Sequence, residues 1–195
     1  MFTGIIETTG KLINLEKKGS NYELTIECKL APELKVDQSV AHNGVCLTVV
    51  ETKGTTYKVV VIEESLNKTN FRELTIGDEL NIERCMQMNG RLDGHIVQGH
   101  IDQTGICTKK VALDGSWEFT FEYDDASKGN ITVKKGSICI NGASLTVCNS
   151  TKDGFSVNII PYTYEFTNFK NLEVGNTVNL EFDIIGKYVA KLTLK

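Results

Sequence analysis

A chain of 195 residues, 41% hydrophobic and 24% charged, has the composition of an ordinary globular protein and not of a disordered or membrane-spanning one. Its net charge is −4 and its lysine pairs (17-18, 109-110, 134-135) are scattered, which argues against nucleic acid as the main partner and favours a small molecule. The opening MFTGIIETTG has no basic or apolar leader region and no apolar run is long enough to span a bilayer, so a cytoplasmic chain without membrane contact is expected.

In chain order, YELTIEC and TTYKVVVI, then WEFTFEY and GFSVNII, alternate apolar and polar residues and are punctuated by Gly, Asn and Asp. That pattern predicts antiparallel strands of a sandwich or barrel. The closing FDIIGKYVAKLTLK differs. Its Ile185, Tyr188, Val189 and Leu192 fall at i, i+3, i+4 and i+7, one face of a helix. The six cysteines (28, 46, 85, 107, 139, 148) show no CxxC or CxxH spacing, so neither zinc nor, in a reducing compartment, disulfides are expected.

The chain also repeats itself. NGVCLTV at 43–49 returns as NGASLTV at 141–147, and with that offset of 98 residues 42–83 and 140–181 agree at 14 of 42 positions without a gap. Among the matches are Val59/Val157, Thr69/Thr167, Asn70/Asn168, Phe71/Phe169, Asn81/Asn179 and Glu83/Glu181. At an offset of 95, Gly4-Ile5-Ile6 aligns with Gly99-His100-Ile101. Two copies of one β-domain follow, joined near residues 86–96.

Fold constraints act on both copies alike, so differences between them point to chemistry. Cys46 faces Ser144, Ile5 faces His100, His42 faces Ile140, and Glu63-Glu64 face Pro161-Tyr162. The NG phrase reads equally as a hairpin turn or a ligand loop. His100 reads as a proton carrier or a structural histidine. Cys46 reads as a core residue or, with a lowered pKa, a nucleophile. His95 and His100, five apart, have the wrong spacing for a shared metal on either a helix or a strand.

In order, MFTGIIE, SVAHNGVCLTV, TNFRELTIGDELNIE, GHIVQGHID, KGSICINGASLTV and IIPYTYEFTNF resemble riboflavin synthase of the α-chain type from end to end. The resemblance implies an all-β fold of two tandem six-stranded Greek-key barrels, residues 1–95 and 96–184, and a short C-terminal helix, 185–195, through which members form homotrimers. It implies dismutation of two 6,7-dimethyl-8-ribityllumazine molecules, without metal or cofactor, to riboflavin and 5-amino-6-ribitylaminouracil. Two copies of a binding domain suit a reaction that consumes two copies of one molecule.

The resemblance also implies one lumazine per barrel, with each active site between the N-terminal barrel of one subunit and the C-terminal barrel of the next. The N-terminal site would use Gly4, Ile5 and Ile6 with Cys46, Leu47 and Thr48, then Val60, Val61, Ile62, Glu63, Glu64 and Ser65. The C-terminal site would use Gly99, His100 and Ile101, Lys135, Asn141, then Ser144, Leu145 and Thr146. Its last part would be Ile159, Ile160, Pro161, Tyr162, Thr163 and Tyr164. His100 would move the proton, Cys46 or an activated water would add to the acceptor ring, Ser144 and Thr146 would orient the other ring, and Phe2 would cover the site.

Many members carry Asp where this chain has Asn141, an amide that hydrogen-bonds without taking a proton. The fold also serves antenna proteins that bind lumazine or flavin without turnover. They lose residues of the second barrel, whereas GHI, SLTV and IIPYT all stand here. A reductase flavin domain would need a GxGxxG nucleotide-binding unit, which the sequence lacks.

Overall fold

The computed structural model describes residues 1–124 and 129–193. The first repeat forms β1 (Thr8–Lys18), β2 (Asn21–Glu27), β3 (Ser39–His42), β4 (Val45–Lys53), β5 (Thr56–Val61) and β6 (Glu79–Arg84). The second forms β7 (Gln103–Leu113), β8 (Ser116–Tyr123), β9 (Ser137–Ile140), β10 (Ala143–Ser150), β11 (Gly154–Ile159) and β12 (Thr177–Phe182). Each set closes into an antiparallel barrel, β1-β2-β5-β4-β3-β6 and its counterpart β7-β8-β11-β10-β9-β12. Both have the Greek-key order, with the fifth strand inserted between the second and fourth.

Alternation drives this outcome. In β2, Leu24 and Ile26 point inward while Thr25 and Glu27 face out, and in β8 Phe119, Phe121 and Tyr123 do the same. The long first strand of each repeat is bent by a bulge at equivalent places, Leu12/Asn14 and Cys107/Lys109, which lets it serve two neighbours around a closed barrel. The first core is aliphatic with Tyr57 and Phe71. The second is richer in phenylalanine, with Phe119, Phe121, Phe155, Phe169 and Phe182.

After β5 and β11 the chain turns through short helices, α1 (Glu63–Lys68) and α2 (Pro161–Phe166). The Thr69 and Thr167 hydroxyls then accept hydrogen bonds from the Phe71 and Phe169 amides and start a 3-10 turn. The last element, α3 (Ile184–Thr193), covers the predicted helix apart from residues 194 and 195, which lie outside the described residues. Its apolar stripe does not pack on the barrel: Ile185, Tyr188, Val189 and Leu192 are 55–77% exposed, and Ala190 alone is buried.

The barrels meet at their two NG turns. Asn43 and Asn141 take positive φ of 46° and 44°, as a tight hairpin requires. The Asn81 amide donates to the Asn141 carbonyl (2.8 Å), and Asn179 donates reciprocally to the Asn43 carbonyl (3.0 Å). Asn168 adds bonds to the Asn43 and Asn81 side chains. The repeat therefore encodes not only two barrels but the contact between them.

Candidate functional site

Each barrel's leading segment crosses to the other barrel. The Ser144 amide of β10 donates to the Gly4 carbonyl at 2.7 Å, and the Cys46 amide of β4 donates to the Gly99 carbonyl at 2.9 Å. Ile6 packs against the second core and Ile101 against the first. The two segments pair with each other through Phe2 and Val97. Gly4 and Gly99 have φ of 76° and 82°, and a Cβ on either would fall 2.6 Å and 2.5 Å from the Cβ of Ser144 and Cys46. Only glycine fits both demands.

This corrects the expected grouping. Gly4, Ile5 and Ile6 lie with Ser144, Leu145 and Thr146, and Gly99, His100 and Ile101 lie with Cys46, Leu47 and Thr48. The cause is backbone pairing between residues far apart in sequence.

Around the first site, Cys46 and Thr48 face out of the barrel and Leu47 faces into its core. Strands β4 and β5 pair only from Val49 and Val59 onward, so Cys46–Thr48 and the stretch from Val60 to Ser65 flank the place where these two strands part. Ile62, Glu63 and Glu64 are exposed there, with Glu64 paired to Lys68 at 2.9 Å. Burial pushes the Cys46 thiol above its ordinary value, with the Ser39 hydroxyl opposing. Cys46 is thus a thiol at neutral pH, and its setting does not support the nucleophile role.

Around the second site, Ser144 meets a residue outside the expected set: its Oγ lies 2.7 Å from His95 Nδ1. Burial lowers the His95 pKa, opposed by the Asp183 carboxylate, so the ring is neutral at pH 7. A neutral imidazole on a serine hydroxyl can take or return its proton.

Ile160, Pro161 and Tyr162 are exposed beyond the buried Ile159, and Thr163 and Tyr164 are partly covered. The Tyr164 ring stacks on Trp117 at 3.9 Å between centroids and 3° between planes. Lys135 lies on the exposed turn before β9, its amide on the Val147 carbonyl.

Asn141, expected at the second site, lies at the junction between barrels, where its Oδ1 accepts from the Asn179 amide at 2.8 Å. The adjoining cleft of about 430 Å³ is lined mainly by asparagine and acidic side chains, with Leu74 and Leu172 among them.

His100 is exposed, and its amide donates to Glu181 Oε2 at 2.9 Å. Glu181 also accepts from Gln98 (2.6 Å) and Gly99 (2.9 Å). Glu83 holds the other segment, accepting from the Thr3 amide (2.7 Å), the Thr3 hydroxyl (2.7 Å) and the Gly4 amide (3.0 Å). None of His95, Glu83 and Glu181 stands among the residues expected at the two sites; the glutamates match between the repeats, and His95 is marked in the sequence only by its spacing from His100.

Two closed barrels whose leading segments cross from one to the other define a duplicated β-barrel protein. The family model of the lumazine binding domain matches residues 3–85 and 98–183, one match per barrel. Over 98% of this chain and of the relative, it is 40% identical to a riboflavin synthase of Mycobacterium tuberculosis. It is 39% identical to that of Actinobacillus pleuropneumoniae over 100% of this chain and 91% of the relative, and 35% identical to that of Escherichia coli over 94% and 87%. The crystal structure of LumP complexed with riboflavin shares the fold, with a TM-score of 0.85 and 24% identity over 93% of this chain and 99% of that one. The chain belongs to the riboflavin synthase family of duplicated lumazine-binding barrels.

Proposed function

We propose that the protein transfers a four-carbon unit between two molecules of 6,7-dimethyl-8-ribityllumazine, yielding riboflavin and 5-amino-6-ribitylaminouracil. The observation that carries this reading is the pair of related sites whose surroundings match while their reacting positions differ. One site presents Cys46 with His100 alongside, and the other presents Ser144 on His95. Holding two identical rings at two unlike sites turns a bimolecular encounter into a positioned one and assigns donor and acceptor.

In this reading His95 and Ser144 move a proton at one ring, His100 does so at the other, and Cys46 and Thr48 shape the pocket wall. Backbone groups of the Val60–Ser65 and Ile159–Tyr164 stretches meet the ring edges, and their hydroxyls and carboxylates meet the ribityl chains. Three chains assemble through the exposed stripe of α3, which brings the first barrel of one chain to the second barrel of the next. The six unpaired cysteines support a cytoplasmic location.

The test is incubation with 6,7-dimethyl-8-ribityllumazine alone, following its loss against riboflavin. Two lumazines consumed per riboflavin formed is the expected result. Tight binding without riboflavin would replace this reading with that of a ligand carrier.

A further inference from the structure

We propose that Glu83 and Glu181 are positioning residues that act crosswise: Glu181 of the second barrel sets the Cys46 site, and Glu83 of the first barrel sets the Ser144 site. The inference concerns the two sites of the proposed function and rests on that reading for its link to substrate.

The geometry is the same in both copies. Glu181 sits on β12, 1% exposed, and gathers the Gln98, Gly99 and His100 amides. The carbonyl of that same Gly99 takes the Cys46 amide of the other barrel. One residue therefore separates the carboxylate from the strand that carries the first site, and His100 is fixed by the same oxygen as Gly99. Glu83 sits on β6, 4% exposed, and gathers Thr3 and Gly4, whose carbonyl takes the Ser144 amide.

The choice of residue argues for positioning over packing. Among the described residues neither carboxyl group makes an ion pair; Glu181 is held by three amides and Glu83 by two amides and the Thr3 hydroxyl, a costly arrangement to bury. A neutral side chain would close the barrel equally well. A carboxylate alone presents two acceptor oxygens to three converging donors. Glutamine has the same shape but turns an NH2 toward at least one donor, losing a bond and adding a repulsion.

The experiment is site-resolved amide hydrogen exchange on the full chain without ligand, comparing the parent with Glu181→Gln and Glu83→Gln. Glu181→Gln is expected to speed exchange of the Cys46 amide by about tenfold or more and to leave Ser144 unchanged, and Glu83→Gln to do the reverse. A purely structural carboxylate would loosen its own barrel. Faster exchange is expected at the clamped amides themselves, 98–100 or 3–4; acceleration through the strands of the variant's own barrel, of the Cys46 and Ser144 amides together, or of neither overturns the proposal.

Should a glutamine variant fail to fold, Glu181→Asp and Glu83→Asp keep the charge and withdraw it by one methylene. They are expected to give the same crossed pattern at smaller amplitude. Titration with 6,7-dimethyl-8-ribityllumazine, followed by quenching of Trp117 beside Tyr164, then links the clamp to the ligand. Quenching is expected to survive in Glu181→Gln and to need about tenfold more ligand in Glu83→Gln. No quenching in the parent, with the crossed exchange intact, would sink the lumazine reading and leave the clamps standing.

Discussion

His42, which stands where the second copy has Ile140, is fully buried and held at both ring nitrogens. The Val40 carbonyl can only accept, so Nδ1 carries the proton, and Nε2 accepts from the Tyr57 hydroxyl at 2.7 Å. Burial lowers the His42 pKa from 6.5 to about 4. The folded value lies below the unfolded one, so between those pH values the unfolded chain binds the extra proton and stability falls as pH falls. The loss should reach about 3 kcal/mol by pH 4, and His42→Gln should remove that share of the slope. Urea unfolding at pH 7.5 and 4.5 measures both chains. An unchanged slope in the variant would assign the acid sensitivity elsewhere.

The same scale separates Cys46 from Ser144. With its thiol protonated, Cys46→Ser should keep kcat within about tenfold of the parent. Ser144→Ala removes the hydroxyl that meets His95 and should cost about a hundredfold. Initial rates with lumazine decide, and a greater loss at Cys46 would restore it as the reacting group.

At the scale of elements, α3 is joined to the body of the protein less by apolar packing than by charge. Lys187 Nζ lies 2.9 Å from both carboxylate oxygens of Asp102, two residues from His100, and Asp102 also accepts from the Phe182 amide. With Ala190 its single buried residue, a ten-residue helix would be marginal alone, and its exposed stripe is the face that the proposed trimer would cover. Val189→Glu should therefore yield monomers in sedimentation velocity, with turnover falling and the melting temperature of the barrels nearly unchanged. A variant that still sediments as a trimer would place the interface elsewhere.

Across the whole molecule, the asparagines at the junction make the two barrels one unit. Asn81, 1% exposed, donates to the Asn141 carbonyl and to Asn168 Oδ1, and its own Oδ1 accepts from the Asn168 amide. Asn81→Ala strands these partners away from water and should cost roughly 2–5 kcal/mol. Because each barrel also depends on a segment anchored in the other, calorimetry of the parent should show one cooperative transition. Two resolved transitions would mean that the exchanged segments contribute little.

Much of this architecture was legible in the residues themselves. Leu24 and Ile26, or Phe119 and Phe121, declare inward faces because a strand alternates every second residue, and the matched spacing of the copies declares two barrels. The stripe of α3 was equally plain from Ile185 to Leu192. Cys46, Ser144 and His100 stood out because chemistry tolerates divergence between copies that share a fold. Only the tertiary structure decided that Gly99 lies on Cys46 and Gly4 on Ser144, that Asn141 belongs to the junction, and that His95 meets Ser144. Those contacts join distant residues through backbone amides and carbonyls common to every residue, or through side chains brought together only when both barrels close, so neighbouring sequence carries no mark of them.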